Sequence, residues 1–173
     1  IFVLGLPRSG TTLISQAISS YFNIGCVSNL MATFWKAPIC GLRLSQKLSD
    51  AKFESDFKSD YGRTAGLFEP HEFGYFWSSV LSYKELAKNA NVDLQPEGWT
   101  KLALVLNNIA HEYGAPFLHK NILFNWHAAE LARQLPNAIF VVAVRDKADA
   151  ALSLLNMRKR MLGGEQYWAS AKP

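Results

Sequence analysis

The sequence is poor in cysteine, in metal-ligand patterns and in charge. Cys26 and Cys40 are its two cysteines, and no ligand spacing surrounds them. Nothing there demands a disulfide, and reduced thiols are expected. The four histidines, His71, His111, His119 and His127, form no H-x-x-x-H pair, so no metal is expected. No apolar run approaches the roughly 18–20 residues that cross a bilayer, so no membrane span is expected. Charged residues are 18% and apolar residues 49% of 173, which excludes a disordered or fibrous chain. Net charge is +4 and the pI is about 9.1, a mild basic excess. No dense Lys/Arg block interleaved with aromatics is present, so a nucleic-acid partner is not expected. The one basic triplet, "RKR" at 158–160, reads either as a helix end that complements the dipole or as an anion contact. No repeat or low-complexity tract appears. The chain opens on "IFVLG" and stops at "AKP", which reads as trimmed ends, and the expected compartment is the cytoplasm.

What is present is an alternation of strands and helices. "IFVL" is a continuous apolar run ended by glycine, the pattern of a buried parallel strand. Leu13, Ile14, Ala17, Ile18, Tyr21 and Phe22 then recur at helical spacing. A short strand is predicted at Gly25–Val27. Residues 41–60 are polar with scattered Leu and Phe, and read as short helices or a flap. A turn at Pro70 precedes a helix with Glu72 near its start. Trp99, Leu102, Ala103, Leu106, Ile109, Ala110 and Tyr113 make one helical face, stopped by Gly114. "PFLHK" is a short strand, Asn125 a cap for a helix through Leu135, and "IFVVAV" at 139–144 a second buried strand. Asp146 caps a last helix to about Met161. The predicted fold is a three-layer α/β domain over residues 1–173, with a central parallel sheet and helices on both faces. Ligands in such folds bind beyond the carboxyl ends of the strands. The loop after strand 1, His119-Lys120 and Arg145-Asp146 all fall at that edge.

The loop "GLPRSGTT" has the spacing of a Walker loop in Gly5, Gly10 and Thr12, but Thr11 stands where the lysine belongs. Backbone N–H groups and the helix N-terminus make an anion site. Thr11 and Thr12 add hydroxyls and Arg8 a planar cation. Moving a γ-phosphoryl group usually calls on the missing lysine together with Mg²⁺. A sulfonyl group carries one charge less and can be held without a metal.

The octet resembles the phosphosulfate loop of sulfotransferases that use 3′-phosphoadenosine 5′-phosphosulfate. Its P-R-S-G-T-T spelling looks most like the tyrosylprotein and bacterial-type branches. The resemblance implies a P-loop NTPase-like sulfotransferase fold, and binding of the 5′-phosphosulfate by Pro7, Arg8, Ser9, Gly10, Thr11 and Thr12. Family members hold the 3′-phosphate with an arginine at a strand end and a serine eight residues later. Here "VVAVRDKADAALS" supplies Arg145 and Ser153. Asp149, Ser153, Asn156 and Arg160 form a polar stripe beside the apolar stripe Ala148, Ala151, Leu152 and Leu155. Lys147 stands where the family commonly has proline, which loosens the match at the helix start.

Sulfuryl transfer needs a base for the acceptor proton and cations for the leaving phosphate. Arg8 and Lys120 are the candidate cations. "EPHEF" offers Glu69, His71 and Glu72 as candidate bases, with Glu72 first and His119 an outside candidate. Residues 29–98 would build the acceptor side, where Phe34, Trp35, Phe73, Phe76 and Trp77 point to an apolar or aromatic acceptor, a small molecule or a peptide. Two other readings stand beside this one. One is a P-loop kinase or NTPase with an altered loop and Asp146 on Mg²⁺. The other is a non-catalytic nucleotide-binding domain.

Overall fold

The computed structural model describes residues 1–49, 54–81, 94 and 96–162. Four parallel strands form the sheet: β1 (Phe2–Gly5), β2 (Gly25–Cys26), β3 (Phe117–Lys120) and β4 (Phe140–Ala143), in the order β2-β3-β1-β4. Around them lie α1 (Thr11–Tyr21), α2 (Asn29–Thr33), α3 (Pro38–Leu48), α4 (Gly74–Leu81), α5 (Pro96–Tyr113), α6 (Phe124–Gln134) and α7 (Lys147–Met157). The fold is the expected α/β arrangement, and α1 follows β1 through the glycine loop. The expected continuation of α4 past Leu81, and residues 50–53 of the polar segment, lie outside the described residues.

The centre of the sheet is apolar because β1 is covered on both faces. Phe2, Val3 and Leu4 are buried, and Phe2 meets Trp77, Phe124, Phe140 and His119 ring to ring. α5 buries Trp99, Leu102, Leu106 and Ile109, the face its spacing predicted, and Gly114 ends it at φ 80°. Phe73, Phe76 and Trp77, expected beside an acceptor, belong to this core instead, because large rings gain most by leaving water. Cys26 and Cys40 are unpaired thiols.

Four expectations are corrected. The helical face of α1 that is buried is polar: Thr12, Ser15, Gln16, Ser19 and Ser20, while Leu13 and Tyr21 are exposed. Its burial is tolerated because partners are in place. Ser15 and Ser19 donate to the carbonyls of Thr11 and Ser15, at 2.9 and 2.8 Å, and Gln16 donates to Glu69 at 2.9 Å. Strand β4 is not buried on both faces. It lies at one end of the strand order, and Val142 and the following Val144 are 61% and 88% exposed. Asn125 is not a cap; it lies inside α6, and its amide reaches β1. The apolar stripe of α7 faces outward at Ala148, Ala151 and Leu152. The face turned inward carries Ala150, Ser153 and Met157. Asp146 does cap α7, accepting from the N–H groups of Ala148 and Asp149 at 2.9 and 3.1 Å.

Candidate functional site

The loop between β1 and α1 is wound tightly enough to aim its main chain outward. Ser9 N–H donates to Leu6 O at 3.1 Å, Arg8 sits at φ 71° and Gly10 at φ 96°. A left-handed arginine costs about 1–2 kcal/mol, a strain the surrounding contacts hold in place. Gly5 is required by crowding. A Cβ there would lie 2.4 Å from Ser9 Oγ and 2.9 Å from Ala143 O. Ser9 therefore turns its hydroxyl inward, beneath the loop. α1 has no acidic residue in its first turn and no side-chain cap at Gly10, so its positive end is not cancelled.

Lys120, the last residue of β3, comes up beside this loop. It is 3% exposed, and its ammonium donates to Thr12 Oγ1 at 2.9 Å and pairs with Glu72 Oε1 at 2.9 Å. A buried ammonium is tolerated only with such partners. The Glu72 side chain is 38% exposed and lines the cavity above the loop. The segment carrying it is fixed by antiparallel bonds to the exit of β2: Asn29 N–H to Glu69 O at 3.0 Å and His71 N–H to Val27 O at 2.7 Å. Asn121 adds a bond to the Glu72 carbonyl at 2.9 Å.

The neighbouring candidates are placed differently. Glu69 is buried. Its carboxylate accepts from Gln16 Nε2, Ser55 Oγ and Asp56 N–H at 2.9–3.0 Å, so its lone pairs are taken by structural donors. His71 lines the cavity, and its Nδ1 accepts from Phe73 N–H at 2.8 Å. In the neutral ring the proton then sits on Nε2, which makes the cavity side a donor. Burial lowers the His71 pKa; Glu72 pulls it back up by less, and Lys120 adds the smallest contribution, downward. His119 is sealed among Phe2, Trp77 and Phe117, and burial takes its pKa down to about 3. It is a core histidine that stays neutral.

The second cationic group closes on the same loop. Arg145 Nη1 donates to Arg8 O at 3.0 Å, and Arg8 Nε donates to Ser153 Oγ at 3.0 Å. Ser153 thus meets the loop through Arg8. Tyr61 was not singled out by its sequence. It stands at the tip of a two-residue turn, with Asp60 and Arg63 exchanging backbone bonds at 2.8 and 3.0 Å. Tyr61 and Gly62 have φ 51° and 91°, the geometry of a type I′ turn. Two guanidinium carbons lie over its ring, Arg8 at 5.0 Å and Arg160 at 5.7 Å from the centroid. The available signal was the glycine after Tyr61, a turn marker just past the polar stretch 41–60.

These groups face one cavity of about 510 Å³, lined by Arg8, Thr11, Thr12, Tyr61, Glu72 and Arg145 among others. Arg8, Arg63 and Arg145, the hydroxyls of Thr11 and Thr12 and the carboxylate of Glu72 thus meet around one cavity. Among the described residues no group of three or more His, Cys, Asp or Glu is arranged to hold a metal ion, and no helix is long and apolar enough to cross a membrane. Compared with known proteins, residues 1–170 match the model of the sulfotransferase family. No curated protein and no solved structure matches the chain.

Proposed function

The chain belongs to the sulfotransferase family, and on that premise we propose that it moves a sulfonyl group from 3′-phosphoadenosine 5′-phosphosulfate to a hydroxyl or amine of a small-molecule or peptide acceptor. The observation that carries this reading is the Lys120 ammonium, buried and bonded at once to Thr12 of the loop and to Glu72. An ammonium suited to a leaving phosphate beside a carboxylate suited to take a proton is what supports the reading.

The donor set suits that cosubstrate. Gly10, Thr11 and Thr12 offer N–H and hydroxyl donors for the 5′ end, and Pro7 and Ser9 shape the turn beneath them. Arg145 and Ser153, both joined to Arg8, take the 3′-phosphate. The bound nucleotide supplies an activated sulfonyl group with a good leaving phosphate. Glu72 accepts the acceptor's proton as the new S–O or S–N bond forms. Lys120 and Arg8 offset the charge that grows on the departing oxygen. Lys120 also keeps Glu72 aimed, since its own position is fixed by Thr12. No step in this scheme calls for a metal. Asn29, Thr64 and His71, which line the cavity, stand on the acceptor side, where the Nε2 of His71 can donate to an acceptor oxygen.

A kinase reading would need Asp146 for Mg²⁺, and that carboxylate is engaged as the cap of α7. The decisive comparison is thermal stabilisation by 3′,5′-adenosine bisphosphate against ATP–Mg²⁺. A ligand at 100 times its Kd adds about 2.7 kcal/mol. A shift with ATP–Mg²⁺ alone overturns the proposal. Transfer of radiolabelled sulfate to an acceptor panel then separates an enzyme from a binding domain.

A further inference from the structure

Strand β1 outruns one of its neighbours. It pairs with β4 along its whole length, from Phe2↔Phe140 to Gly5↔Ala143, but with β3 only at Phe2↔His119 and Val3↔Lys120. Past Lys120 the chain leaves the sheet, so the β3-facing N–H and C=O of Gly5 lose their ladder partner. An unpaired buried main-chain group is costly. The Asn125 side chain takes the vacant register. Its Oδ1 accepts from Gly5 N–H at 2.9 Å, and its Nδ2 donates to Gly5 O at 2.9 Å. A primary amide presents the same donor–acceptor pair as a peptide unit, so the ladder is continued by a side chain. Nδ2 also donates to Ile122 O at 3.0 Å, which ties the bond to the turn itself.

Asn121, at the other end of that turn, is 3% exposed and works the same way toward the opposite wall. Its Oδ1 accepts from Leu123 N–H at 2.9 Å, and its Nδ2 donates to Glu72 O at 2.9 Å. One short turn therefore grips the residue that opens the anion loop and the residue offered as the base, with Lys120 leading into it. We propose that Asn125 and Asn121 are positioning residues. Asn125 sets the anion loop through Gly5, Asn121 sets Glu72, and together they fix the gap that transfer must span. The roles rest on the sulfotransfer reading above; the bracket itself does not.

Two variants at position 125 and one at 121 test this. Asn125→Asp keeps an acceptor for Gly5 N–H but loses the donation to Gly5 O while ionised. It should bind 3′,5′-adenosine bisphosphate about tenfold more weakly at pH 8. Affinity relative to wild type should return toward pH 5, where the neutral acid donates again; a carboxylate facing a carbonyl titrates high. Asn121→Ser keeps the turn but falls short of Glu72. It should leave the bisphosphate Kd within about twofold and lower kcat about tenfold. A bisphosphate Kd for Asn125→Asp equal to wild type, or a loss that low pH does not reverse, overturns the inference. So does an Asn121→Ser that loses binding and turnover together. If wild type binds no bisphosphate, the functional reading falls, and Gly5 amide hydrogen exchange decides the bracket alone. Exchange about tenfold faster in Asn125→Leu supports it, and unchanged exchange overturns it.

Discussion

Arg145 donates from Nη1 to the backbone carbonyl of Arg8, 3.0 Å away, and so joins the end of β4 to the turn after β1. The same Arg8 reaches Ser153 with its side chain. The end of β4 and the helix after it thus both meet the loop at one residue. Arg145→Ala should abolish the stabilisation by 3′,5′-adenosine bisphosphate. Arg145→Lys should restore only part of it, because an ammonium lacks the planar fork. Differential scanning fluorimetry with and without ligand reads both. A full shift in Arg145→Ala would remove Arg145 from the site.

Glu72 and Glu69 lie three positions apart and predict opposite phenotypes. Glu72→Gln keeps an acceptor for Lys120 but cannot take a proton. Turnover of radiolabelled sulfate should fall by about 10²–10⁴ with bisphosphate affinity retained. Turnover within about threefold of wild type would move the base elsewhere.

Glu69→Ala should act on folding. It strands the Ser55 hydroxyl and the Asp56 N–H, and leaves the Gln16 amide only its bond to Lys58 O. The expected loss is about 2–4 kcal/mol in urea unfolding, with turnover per folded molecule preserved. A variant as stable as wild type but inactive would reverse the assignment of the two carboxylates.

Much of this was readable in the chain itself, for definable reasons. β1, the glycine loop and α5 are visible because their pattern and their burial agree. The pairing of Arg145 with the loop follows from strand ends meeting at one edge. The rest depends on contacts distant in sequence. Nothing local tells that Asn125 completes a ladder, or that Tyr61 carries Arg8 and Arg160 over its ring. α1 misled because its serine hydroxyls are satisfied by its own carbonyls and its Gln16 amide by Glu69, so these partners overrode the apolar stripe. Phe73, Phe76 and Trp77 misled because an aromatic cluster looks the same in a pocket wall and in a core.

Acid should destabilise the fold through its buried histidines. Burial lowers His119 to about 3 and also lowers His71 and His127. An unfolded histidine titrates near 6.5. Below that value the unfolded chain binds more protons, so stability is complete above about pH 6.5 and declines as pH falls toward the folded values. The decline approaches about 1.4 kcal/mol per pH unit for His119 alone. His119→Leu should flatten it, and should cost little at pH 8, because His119 Nδ1 has no hydrogen-bond partner among the described residues to lose. Thermal unfolding at pH 5 and 8 checks this; an equally steep acid limb in the variant would exonerate His119.

The parallel register has a temporal consequence. Phe2 lies between His119 and Phe140, so β1 waits for β3 and β4, both made much later, before either flank can close. Chain closure over such separations is entropically slow, and parallel pairing is slow for the same cause. During synthesis the "IFVL" ribbon lacks the two strands it pairs with until β3 and β4 have left the ribosome. Yield from rapid expression should therefore be governed by how well that early ribbon is shielded, and slower translation or added holdase should raise the soluble fraction.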